Sequence, residues 1–101
     1  VLRVGAITLD EQTRIVQLDG RSIELTEEEM IILAVLMKHA DQVLSCRDLT
    51  RAAWQYDLEE WESQALVRPY IFRLRQKIEA TPGDPVIIRN VRGRGYLLAS
   101  K

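Results

Sequence analysis

The stretch Ala65 to Ala80, ALVRPYIFRLRQKIEA, constrains the fold more than any other part of the chain. Val67, Ile71, Leu74 and Ile78 recur at i, i+4, i+7 and i+11, one apolar stripe at helical period. Arg68, Arg73, Arg75 and Lys77 occupy the flanks, and Glu79 is the lone acid. Such a helix can bury its stripe on a core and offer its cations to an anion. Taken alone, it is equally an ordinary solvated amphipathic helix.

Charge along the chain favours the anion. The net charge is −1 over 101 residues, but residues 1–60 hold 6 Lys/Arg against 12 Asp/Glu, whereas residues 61–101 hold 8 against 3. The first part is therefore at net −6 and the second at +5. A basic half of this kind is the electrostatic footprint of a polyanion binder. The length suits one domain with its own core. The longest apolar run, Met30 to Met37, is too short to span a membrane. Cys46 is the only cysteine, so no disulfide framework exists and a reducing cytoplasm is expected. Because the chain opens on Val1, it is expected to be a piece of something longer.

Residues 1–25 read as short strands of an antiparallel meander, with Ile7/Leu9, Val16/Leu18 and Ile23/Leu25 alternating with polar neighbours and Asp19-Gly20 as a hairpin turn. Residues 26–80 read as three helices. Thr26 and Glu29 form a capping box for the first, which runs to about His39. His39 has no second ligand near it and reads as a cap or surface residue, so no metal site is expected. Ser45 with Asp48 starts the second helix, Cys46 to Trp54. A reactive thiol at Cys46 is one reading, and a small packing residue the other. Gln55 to Glu62 is an acidic aromatic loop (Tyr56, Asp57, Leu58, Glu59, Glu60, Trp61), either packed down or a contact surface. The basic helix follows and ends before Thr81-Pro82-Gly83-Asp84-Pro85. Pro69 suits only a first turn, so the regular helix is expected to begin near Leu66. A start capped by Ser63 is the alternative and would place Pro69 in the second turn. Residues 86–99 form a hairpin whose tip, Asn90-Val91-Arg92-Gly93-Arg94-Gly95, is glycine-rich and basic. It lacks GK[ST] and leads into a strand, so it is not a nucleotide phosphate loop.

This order resembles the winged-helix DNA-binding domain of the OmpR/PhoB family of bacterial response regulators. The segments that carry the resemblance are LTEEEMIILAVLMKHADQVLSCRDL (Leu25–Leu49), Trp54, RLRQKIE (Arg73–Glu79) and VRGRGY (Val91–Tyr96). It implies an α+β winged helix-turn-helix: an N-terminal antiparallel sheet, three helices and a C-terminal β-hairpin wing. With one His, one Cys and no motif that names a cofactor, the residues themselves lead to the expectation of no cofactor and no enzymatic activity. The resemblance also implies double-stranded DNA as partner, with the third helix in the major groove and the wing in the minor groove. The resemblance places Arg73 on bases or nearby phosphates and Arg75 and Lys77 near the backbone or in supporting contacts. It places Arg92, beside Arg94, in the minor groove. Tyr70, Asn90 and Trp54 match DNA-facing or backbone-contacting positions, and Arg68, Phe72 and Gln76 share the same helix. The loop from Tyr56 to Trp61 matches the turn that in some members touches RNA polymerase, and a homodimer on DNA is a further implied partner. Where the family often reads Arg-Thr-Val-Asp-Val-His-Ile, this chain has Ala65 to Ile71, with Arg68 for the Asp and a Pro inside. The strip Ala65, Pro69, Phe72, Gln76 is accordingly more apolar than expected for DNA. A protein-interaction module on the same frame is the second reading.

Overall fold

The computed structural model describes residues 1–100. Four strands form an antiparallel meander in sequence order: β1 (Leu2–Val4), β2 (Ile7–Asp10), β3 (Ile15–Leu18) and β4 (Arg21–Glu24). Asp19 and Gly20 close the β3–β4 hairpin with φ of 51° and 75°, the two left-handed residues of a tight primed turn. Leu9 and Val16 pair across β2 and β3 with no exposure, so the inner face of this sheet belongs to the core.

Three helices follow: α1 (Glu27–Lys38), α2 (Cys46–Trp54) and α3 (Glu60–Ile78). The first two start where the sequence places them. Thr26 Oγ1 accepts from the Glu29 N–H at 3.3 Å, and Glu29 Oε1 accepts from the Thr26 N–H at 2.9 Å. Ser45 and Asp48 make the same reciprocal pair at 3.0 and 2.9 Å. His39 is the C-cap of α1, its N–H donating to the Val35 carbonyl.

The start of α3 differs from both sequence readings. The helix begins at Glu60, with Glu59 as N-cap, and runs unbroken past Pro69 to Ile78. Glu62 Oε1 accepts from the Glu59 N–H at 3.0 Å, serving one of the donors that a helix start leaves free. Ser63 caps nothing. Its hydroxyl is buried and hydrogen-bonds the Thr50 hydroxyl at 3.1 Å, joining α3 to α2. Pro69 is therefore a helix-interior proline. It lies on the exposed side, and so does Ala65, whose carbonyl loses its helical donor and can turn to water instead. Glu60 and Trp61, read as loop, belong to the first turn of this helix.

The stripe Val67, Ile71, Leu74, Ile78 is no more than 1% exposed and meets Ile32, Leu33 and Leu36 of α1 and Leu49 of α2 in one core. The wing, β5 (Ile88–Val91) paired with β6 (Gly95–Leu98), closes that core with Ile88 and Leu98. Leu44, in the link between α1 and α2, adds an edge bridge to β6. Tyr96 N–H donates to the Leu44 carbonyl at 2.9 Å, and Leu44 N–H to the Tyr96 carbonyl at 2.8 Å. The approach is so close that a Cβ on Gly95 (φ 145°) would stand 2.0 Å from the Leu44 oxygen.

Candidate nucleic-acid interface

Burying the stripe fixes what α3 turns outward. Trp61, Ala65, Arg68, Phe72, Arg73 and Gln76 are all exposed, Trp61 at 70% and Phe72 at 64%. Arg68 faces the wing across a cleft of about 460 Å³, lined also by Ser45, Glu60, Gln64 and the part of the wing from Asn90 to Tyr96. Arg92 and Arg94 are exposed at the wing tip, flanking Gly93. Among the described residues, Arg68, Arg92 and Arg94 make no ion pair. Three arginines thus line one cleft, and Glu60, another residue that lines it, accepts through its carboxylate from Gln64 at 3.2 Å instead.

Arg73 lies on the other flank of α3, its guanidinium 5.6 Å from the centre of the Tyr70 ring. Tyr70 tilts against Trp54 at 6.0 Å, and Trp54 stacks on Tyr56 at 5.8 Å. This aromatic row holds Arg73 beside the outer face, and Tyr56 at its end stays 48% exposed. Gln55 turns the chain there in the left-handed region, with φ of 59°. Asp57 follows, 3.5 and 3.4 Å from Arg47 and Arg51, exposed pairs of small energetic weight. Leu58 is half-buried and Glu59 exposed.

Two cations of α3 are turned to structural work. Arg75 donates from Nε and Nη2 to the Ile88 carbonyl at 3.2 and 3.0 Å and lies 5.5 Å over the Tyr96 ring, so it braces the wing against the helix. Lys77 is directed away from the outer face. Its Nζ reaches Glu29 Oε1 at 2.6 Å and the Glu24 carbonyl at 3.3 Å. Burial alone would raise the pKa of Glu29. The hydrogen bond from Lys77, that from the Thr26 N–H and the Lys77 charge outweigh it, and the pKa is lowered. By charge alone, Lys77 groups with the other cations of α3. Its place beside Ile78 and one turn from Leu74 puts it on the α1 side of the helix instead.

Glu79 has a larger role than its sequence suggests. Its buried carboxylate accepts the backbone N–H groups of Val86, Ile87 and Ile88 at 2.7 to 3.1 Å. It therefore fixes where the wing leaves α3. The only sequence signal is a lone acid shortly before a Pro-Gly turn.

Cys46 is the small packing residue of the two readings. Its thiol is buried at the edge of the cleft, and burial, reinforced by Glu60 and opposed by Arg68, pushes its pKa up to about 11. The thiolate is thus disfavoured despite the helix N-terminus. Among the described residues no cluster of His, Cys, Asp or Glu could hold a metal ion. No helix among them is long and apolar enough to cross a membrane.

Residues 20–98 match the family model described as "Transcriptional regulatory protein, C terminal". The chain belongs to this family. It is 35% identical over 94 residues to the transcriptional regulatory protein AfsQ1 of Streptomyces coelicolor, covering 93% of this chain and 41% of that protein. It is 39% identical over 97 residues to the transcriptional regulatory protein TrcR of Mycobacterium tuberculosis, covering 96% and 36%. The chain thus spans about two-fifths of the curated relatives it matches. Among solved structures, the RstA DNA-binding domain of Klebsiella pneumoniae in complex with the RstA box superposes with a TM-score of 0.85 at 28% identity, covering 99% of this chain and 97% of that one. The DNA-binding domain of CpxR from E. coli gives 0.76 at 30% identity, covering 97% and 94%. The fold is the winged helix of OmpR/PhoB-type DNA-binding domains, as the motifs implied.

Proposed function

We propose that this chain is the duplex-DNA-binding effector module of a bacterial transcriptional regulator, with α3 in the major groove and the wing tip on the minor groove. The observation that carries the proposal is the convergence of Arg68, Arg92 and Arg94, none of them in an ion pair among the described residues, on the cleft between α3 and the wing. Phosphates attract such cations, and the displaced counterions make binding fall steeply with salt. Arg73 and Gln76 offer direct readout of guanine and adenine, and Phe72 offers an apolar contact to the thymine methyl. Arg92 at a narrow minor groove responds to its width. Asn90, Tyr70 and Trp54 flank these groups and suit backbone contacts. Arg75 and Lys77 act by holding the frame. A cytoplasmic setting accords with this role.

Tyr56, Asp57, Leu58 and Glu59 form a surface loop beside α3 that suits contact with RNA polymerase, and paired half-sites would bring two copies together on DNA. The exposed Trp61 and Phe72 favour a second reading, a protein-interaction face on the same frame. Duplex DNA titrated at two salt concentrations, beside size-exclusion chromatography of the free protein, separates the two. Tight, salt-sensitive binding by a monomeric protein is expected. Self-association without DNA binding would reverse the choice.

A further inference from the structure

With α3 starting at Glu60, Trp61 leaves the loop and joins the helix face that carries Ala65 and Phe72. The spacings of 4 and 11 residues put all three on one outward line. Trp61 and Phe72, 70% and 64% exposed, are the two most exposed large apolar side chains of α3. Exposing them costs solubility, and no described residue covers them.

The surroundings name the occupant. Arg68 and Arg73 flank the line, and none of the exposed α3 positions from Trp61 to Gln76 is acidic. The acids of the first turn have hydrogen-bond partners: Glu60 accepts from the Gln64 side chain, and Glu62 from the Glu59 N–H. An apolar line rimmed by arginines fits a surface that is anionic at its edges and apolar within. The major groove of DNA is such a surface wherever thymine C5-methyl groups line it. The span from Trp61 to Phe72 is roughly 16 Å along the helix axis, comparable with about five base-pair steps. Gln76, one turn beyond Phe72, presents the amide suited to adenine N6 and N7.

Resting on the DNA-binding reading, we infer that Trp61, Ala65 and Phe72 form a methyl-reading ridge, so that the site this module selects carries thymines towards both ends of the α3 contact. The ridge sets specificity by shape and dryness. The arginines supply most of the affinity.

The test uses duplexes enriched by this protein from a random pool, each then remade with uracil for thymine, which deletes only the C5-methyl groups. Wild-type protein is expected to bind the uracil duplex about fourfold more weakly for each buried methyl group deleted, hence roughly fifteenfold for two. Phe72→Ala and Trp61→Ala should each bind the thymine duplex less well and show a smaller uracil effect. Phe72→Leu should restore part of that effect. Urea unfolding establishes that each variant is folded, as expected for exposed positions. Equal binding of thymine and uracil duplexes, or an enriched site without thymine, overturns the ridge and leaves the DNA-binding reading standing. Variants that keep the full uracil effect but lose self-association also overturn it, and make the face a protein contact. Failure to enrich any duplex overturns both readings.

Discussion

Pro69→Ala is the most informative single change for the fold, because α3 tolerates a proline where a helix normally cannot. Pro69 lies in the third turn of a 19-residue helix. It has no N–H to give the Ala65 carbonyl, and its ring crowds that carbonyl. An interior proline costs about 3 kcal/mol relative to alanine. Part of this is relieved here, because Ala65 and Pro69 are exposed and water can serve the freed carbonyl. A net hydrogen bond is worth only ~0.5–1.5 kcal/mol, so the relief is of that size at most. The expected gain is therefore about 1.5–3 kcal/mol, which for a chain of this length raises Tm by roughly 6–24 °C. Urea and thermal unfolding followed by far-UV circular dichroism measure it. A change smaller than about 1 kcal/mol would refute the early start of α3, because a first-turn proline costs little.

Three further outcomes follow from the contacts around α3 and the wing. Gly95→Ala forces a Cβ to within 2.0 Å of the Leu44 carbonyl at a positive φ. It should lose about 2–4 kcal/mol in urea unfolding, with the Leu44 and Tyr96 amides exchanging faster. Glu79→Ala leaves the Val86, Ile87 and Ile88 N–H groups without their acceptor, Ile88 in a buried site. The cost should be about 3 kcal/mol, and a wing-selective rise in hydrogen exchange should accompany it. Glu29 has a lowered folded pKa, so its contribution is present above the unfolded value of 4.5 and is lost as pH falls through the folded value. Glu29→Gln should therefore flatten the stability loss below pH 4.5, and an unchanged acid limb would show that the Lys77 pair does not form.

The parts of this fold that are legible in the sequence are those set by local chemistry. Thr26/Glu29 and Ser45/Asp48 announce two helix starts through groups three residues apart, and Asp19-Gly20 announces its turn through the φ values it tolerates. The apolar stripe of α3 and the basic second half are legible for the same reason. The start of α3 is not, because Glu59 is an unusual cap and Ser63 a usual one. Tertiary packing decides the matter by committing the Ser63 hydroxyl to Thr50. Misplacing the start also puts Trp61 in the loop. Lys77 groups with the outward cations of α3 by charge, although its partner Glu29 lies 48 residues away in sequence. Glu79 and Gly95 hold the wing through backbone groups that no side-chain pattern records.

Whether α3 and the wing tip together form the surface that meets duplex DNA is tested most directly by amide chemical shifts of the labelled protein, followed as an enriched duplex is added. The largest changes are expected on the outward positions of α3 from Ala65 to Gln76 and on Arg92 to Arg94, while the amides of β1 to β3 stay in place. Changes confined to the N-terminal sheet, or none at saturating duplex, would contradict that surface.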